Sequence, residues 1–143
     1  MEYQDTNDWA ENVVAFWKKE NIKLEEGVSE IQLFHTEKML GMQFPQAFKV
    51  LYLKVNGFKD YDMNKDMISI WPISRIVEEY TYRRYPNFIG FGDYLINSHM
   101  YGFLIGQSGV FKYYDSLGIP PEKIADSYQE AINLINTNSD LLY

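Results

Sequence analysis

Histidines and aspartates are the side chains in this sequence with the most chemistry to offer. His35 falls on a helical stretch, on or beside its solvent face, and His99 falls in a loop. A nucleophilic triad needs an imidazole held against a serine or threonine hydroxyl. Neither histidine lies beside a Gly-x-Ser-x-Gly turn, and Ser108-Gly109 lacks the residues that would precede it. Both read as surface or capping histidines. There is no cysteine, which excludes thiolate catalysis, disulfides and zinc–sulfur sites. Asp60-x-Asp62-x-Asn64 has the spacing of the first three ligands of a calcium loop. The sixth position, where glycine permits the sharp turn, is Lys65, and the twelfth, where a bidentate glutamate closes the shell, is Trp71. The stretch reads as a polar turn between a helix and a strand, and spacing leaves open whether it takes an ion. Asp60, Asp62 and Asp66 still form a local negative patch. Gly90-x-Gly92 continues into Asp93-Tyr94 without a third glycine, and there is no Walker-type Lys-Ser/Thr pair. Those glycines mark a strand end or a bulge. No catalytic residue, metal or cofactor is expected.

Recognition is better represented than catalysis. Tyr80-Thr81-Tyr82-Arg83-Arg84-Tyr85-Pro86 is rich in the two residue types that dominate interface energetics. It reads either as a partner-binding surface or as a helix end whose tyrosines pack on a sheet while Arg83 and Arg84 stay in water. Stacking of single-stranded RNA on the tyrosines is disfavoured by a net charge of −7, which repels phosphate and anionic lipid alike. Nucleic acid and membrane are therefore not expected partners, and a basic protein is. Twelve tyrosines, each an apolar ring with a polar tip, suit half-buried surfaces. The acidic, polar start is no signal peptide, and no apolar run reaches the ~20 residues that cross a bilayer. A cytoplasmic protein is expected, forming a single domain over residues 1–143, with its oligomeric state open.

The elements that must position these residues follow from periodicity and caps. A helix is predicted from about Asp8 to Glu20, with Trp9, Val13, Phe16 and Trp17 as its apolar stripe and Thr6 or Asp8 as its cap. A second runs from Glu30 to Leu40, opened by the capping box Ser29-x-x-Gln32 and stopped by Gly41. A third starts with Pro45 at its first position, buries Phe48, Leu51, Tyr52 and Val55, and ends at Asn56-Gly57. A short helix spans Ser74 to Tyr82. The last runs from Ser127 to Asn136 behind the capping box Ser127-x-x-Glu130. Strands are predicted at Met67–Trp71, Phe88–Phe91, Tyr101–Ile105 and Val110–Tyr114, the last two joined as a hairpin by Gly106-Gln107-Ser108-Gly109. Grouped strands with helices at both ends predict an α+β fold, with a mostly antiparallel sheet covered on one side.

One stretch has a family pattern. Leu33-Phe34-x-x-Glu37-x-x-Leu40-Gly41, then Phe44-Pro45, Phe48-x-x-Leu51-Tyr52 and Asn56-Gly57, resembles the opening of the SMI1/KNR4-like domain of the SUKH superfamily. Ile68–Trp71, Ile89-Gly90-Phe91-Gly92-Asp93 and Ala125-Asp126-Ser127-Tyr128 are compatible with the rest, so the resemblance spans Val28 to Ile135. After the Gly-Asp step, family members often place acidic residues or glycines. This chain has the more apolar Tyr94-Leu95-Ile96-Asn97-Ser98-His99. The resemblance implies a mixed α/β fold without a catalytic role. It further implies an immunity protein that neutralises a cognate bacterial toxin, often a nuclease, by binding it inside the cell. The alternative is a general interaction module with a host regulatory partner. The toxin-neutralising protein would present an acidic and aromatic face, for which the candidate contacts are Asp60, Asp62, Asp66, Trp71, Glu78, Glu79, Tyr82, Asp93 and Tyr94. Composition and loop position select these residues; no family motif transfers them.

Overall fold

A computed structural model describes residues 2–115 and 118–143. In chain order the elements are α1 (Glu2–Lys19), β1 (Leu24–Glu26), α2 (Glu30–Leu40), α3 (Gln46–Lys54), β2 (Val55–Phe58), β3 (Ile68–Ile70), α4 (Ile73–Thr81), β4 (Phe88–Tyr94), β5 (His99–Leu104), β6 (Val110–Tyr113), β7 (Glu122–Ala125) and α5 (Tyr128–Asn136). Strands β3 to β7 form one antiparallel sheet in sequence order, and β1 pairs with β2 in a separate two-stranded ribbon. The fold is α+β, as the sequence predicts.

Local chemistry sets most helix ends. Ser29 and Gln32 exchange side-chain and backbone hydrogen bonds at 3.1 and 2.8 Å, and Gly41 closes α2 in the left-handed region at φ 73°. The Ser127 hydroxyl accepts from the Glu130 amide at 3.1 Å to open α5. Two helix starts differ from expectation. Pro45 has ψ 151° and caps α3 from outside, one residue before the first helical turn. The first helix begins at Glu2, so Thr6 and Asp8 lie within it and not at its start. Glu37 ties α2 to α3: its carboxylate accepts from the Phe44 amide at 2.6 Å and lies 3.4 Å from the Lys49 ammonium.

The interior is built on aromatic stacking. Phe44, Phe48 and Tyr52 form an i, i+4 ladder with 4.0 Å between successive ring centroids, and Tyr128 of α5 packs edge-on against Phe48. Trp9 and Trp17 donate their indole N–H to Asn133 and Asn136 at 2.9 and 2.8 Å, docking α1 on α5. The sheet is covered on both faces, contrary to the one-sided expectation. Ile89, Phe91 and Phe103 join the main core, while Phe88, Leu104, Phe111 and Tyr113 form a second, smaller cluster closed by Tyr85 and Met100. With both faces buried, β4 and β5 need not alternate apolar with polar residues.

The Asn56-Gly57 pair does more than end a helix. It lies in β2, where the Asn56 side-chain carbonyl accepts from the Ile73 amide at 2.8 Å and so caps α4 from a distance. Gly57 sits at φ 69°, and a Cβ there would lie 2.5 Å from the Trp71 carbonyl carbon, so only glycine fits.

Candidate protein-binding face

Trp71 sits where β3 turns into α4, and its surroundings organise the face. Its amide donates to Phe91 O at 2.8 Å and its carbonyl accepts from the Tyr52 hydroxyl at 2.6 Å. The ring lies over Gly90, where a Cβ would approach it to 3.0 Å. Its indole N–H donates to Asp93 at 3.1 Å, and the Arg75 guanidinium covers its face at 4.4 Å. The second Asp93 oxygen accepts from Arg75 at 3.2 Å and from the Asn97 amide at 2.7 Å. A buried carboxylate survives only when its lone pairs are taken up in this way.

Trp71 and Asp93 are therefore interior residues, 0% and 2% exposed. Sequence position alone selects both as contacts, because a strand end beside a polar turn reads as a rim. Tertiary contacts place them under the rim, where they brace it. His99 differs in the same way. It opens β5 and is buried, with Nε2 2.8 Å from Leu142 O and 3.1 Å from the Tyr101 hydroxyl. Burial pushes its imidazole below the usual histidine range, and nearby Lys112 adds to that, against the opposing pull of the Leu142 carbonyl and Asp93.

Arg75 links the remaining candidates. Beyond Asp93 and Trp71, it lies 3.7 Å from Glu79, 3.4 Å from the Asn97 side-chain oxygen and 5.0 Å from the Tyr61 ring centroid. Three pieces of chain thereby converge on one cation: the turn over residues 59–67, helix α4, and the β4–β5 turn. Asp60 is exposed in the first of these. The Asp62 carboxylate accepts from the Lys23 amide at 2.8 Å, and Asn64 accepts from the amides of Asp66 and Ile68 at 2.9 and 3.0 Å. The turn is thus folded by its own polar side chains. Among the described residues, no three His, Asp or Glu side chains are arranged to hold a metal. Glu78 is exposed, Glu79 is half-buried and Tyr82 is 79% exposed. Tyr94 is half-buried, stacked on His99 and edge-on to Tyr143, each at 5.1 Å.

The Tyr80–Pro86 segment borders the same region. Arg83 folds back over Tyr80 at 3.9 Å, Arg84 pairs with Asp115 at 3.5 Å, and Tyr85 packs on Tyr113 at 5.5 Å. Between this segment and the sheet lies a cavity of about 250 Å³, floored by Trp71, Phe88 and Gly90. Sequence reasoning missed the β4–β5 turn as a surface feature: Leu95 and Ile96 are both exposed. Their signal was the apolar content of Tyr94–His99. It also missed the outer side of α2, where Ile31, Phe34 and Met39 are exposed.

No curated protein matches the chain. The model of the SMI1/KNR4 family (SUKH-1) matches residues 27–134. That span holds the Leu33–Gly57 pattern, whose Glu37, Gly41, Tyr52, Asn56 and Gly57 each have a structural task above, and the whole Trp71–Arg75–Asp93 network. The chain belongs to the SMI1/KNR4 (SUKH-1) family.

Proposed function

We propose that this protein is a non-catalytic, cytoplasmic immunity protein that neutralises a basic toxin domain of its own bacterial cell by stoichiometric binding. The family is one of immunity proteins and protein-binding domains. The observation that carries the reading is how the ionisable groups are used. Asp93, Asp62, Glu37 and His99 are consumed by hydrogen bonds that hold the scaffold. Glu79 pairs with Arg75 at 3.7 Å, and Asp60, Asp66, Glu78, Tyr82 and Tyr94 lie on the segments next to that junction, where they would supply an acidic and aromatic surface. A net charge of −7 steers such a surface toward a basic groove, and buried aromatic contacts then slow release.

The test is co-expression with the toxin encoded beside the gene. Growth should be rescued and a stable one-to-one pair recovered, and the double reversal Asp60→Lys with Asp66→Lys should weaken both. A second reading, a module for a host regulatory partner, is favoured by the exposed Ile31, Phe34 and Met39 of α2, which the acidic face leaves unused. It predicts no rescue and the recovery of ordinary cellular proteins in a pull-down.

A further inference from the structure

The β4–β5 turn combines left-handed backbone with exposed apolar side chains. Leu95, Ile96 and Asn97 take φ of 51°, 51° and 64° in succession. In this region Cβ crowds the carbonyl oxygen, and a β-branched isoleucine tolerates it worst. Glycine or asparagine would adopt it freely. The chain instead places two large aliphatic side chains there and leaves them 47% and 75% exposed. Strain of this kind persists only where surrounding structure over-determines it. Here the Asn97 amide is held by buried Asp93 at 2.7 Å, the Leu95 amide by Met67 O at 2.9 Å, and the Ser98 amide by Tyr94 O at 3.0 Å. Met67 is itself left-handed at φ 65° and 49% exposed, and Tyr61, 73% exposed, lies across Arg75 from Asn97. The result is an apolar knob; Glu79 shares Arg75 with Asn97, and Asp60 and Asp66 precede Tyr61 and Met67 in the chain.

We propose that the Leu95–Ile96 turn is the anchor by which this protein grips its partner, a basic protein surface with an apolar recess. The proposal rests on the toxin-neutralising reading above and names the part of the face that supplies its affinity. A central apolar anchor ringed by polar contacts is how interface energy is usually concentrated. Charge decides the rim of the recess, because a chain with a net charge of −7 is matched by basic side chains. Rigidity decides the loop's backbone. A turn backbone already held by Asp93 loses little freedom on binding, so its apolar burial is offset chiefly by the ordering of two side chains.

The experiment measures binding of the purified full-length protein to the product of the neighbouring reading frame, inactivated at its active site. Three forms are compared: wild type, Leu95→Asn with Ile96→Asn, and Ile31→Asn with Phe34→Asn. Asparagine accepts the left-handed backbone, so the turn variant should melt no lower than wild type. Its affinity should fall at least ~100-fold, the loss of two anchor side chains. The α2 variant should bind as wild type does. Wild-type affinity in the turn variant overturns the anchor and leaves the neutralising reading standing, and so does a loss accompanied by a lowered melting temperature. Failure of wild type itself to bind overturns that reading, and the anchor with it.

Discussion

Tyr52 and Tyr128 are two buried phenols that the core treats differently. The Tyr52 hydroxyl donates to Trp71 O at 2.6 Å, with neither atom reaching water. Burial pushes its ionisation far above the usual tyrosine range. The Tyr128 hydroxyl lies near enough to Tyr52 to feel it electrostatically, yet among the described residues it makes no hydrogen bond of good geometry. Removing one partner of a buried bond strands the other, whereas removing a hydroxyl without a bond strands nothing. Tyr52→Phe should therefore lower unfolding stability by about 1–3 kcal/mol. Tyr128→Phe should change it little or raise it. Urea unfolding of the two variants beside wild type checks the contrast. At this scale the sequence was informative where a residue's partner lay within one turn, as with Ser29 and Gln32. It was not where the partner lay far off: nothing local to Trp71 says that Tyr52 and Asp93 will enclose it.

Elements show the same division. The helices could be read because caps and periodicity are local, whereas β1, β2 and β7 could not. Leu24-Glu25-Glu26 and Glu122-Lys123-Ile124-Ala125 have no apolar alternation, and their strand character comes from β2 and β6 beside them. Gly57 belongs to that long-range layer. Gly41 and Gly57 have nearly the same φ, 73° and 69°, but a Cβ meets nothing within 4 Å at Gly41 and the Trp71 backbone at 2.5 Å at Gly57. Gly41→Ala should cost only its left-handed strain, about 1 kcal/mol. Gly57→Ala should cost roughly 3 kcal/mol, because the β3–α4 corner must move. Thermal melts of the pair separate strain from collision. The 3-10 turn at Asp140–Leu142 is held by His99 through Leu142 O, which gives it a pH dependence. The unfolded histidine takes up a proton near its ordinary 6.5, while burial delays protonation of the folded one. Below that pH the unfolded state binds more protons, so stability should fall as pH drops through the interval between the two values. His99→Gln should flatten this limb in urea titrations at pH 7.5 and 5.5.

For the whole molecule, charge sets the kinetics of association. A net charge of −7 should give an association rate with a basic partner that falls at least ~tenfold between about 50 mM and about 500 mM salt. The dissociation rate should change far less, since release is governed by buried apolar contact. Stopped-flow mixing at several salt concentrations separates the two. Among the described residues no helix is long and apolar enough to cross a membrane.

By itself the sequence determined the capped helices, the β5–β6 hairpin, the antiparallel character of the sheet and the Leu33–Gly57 scaffold that marks the family. Those features depend on contacts between near neighbours and on composition. Only the tertiary structure decided that Trp71, Asp93 and His99 lie inside while Leu95 and Ile96 stand out in solvent. Burial depends on which distant strand or helix packs above a residue, and a side chain's own type and flanking residues do not carry that information.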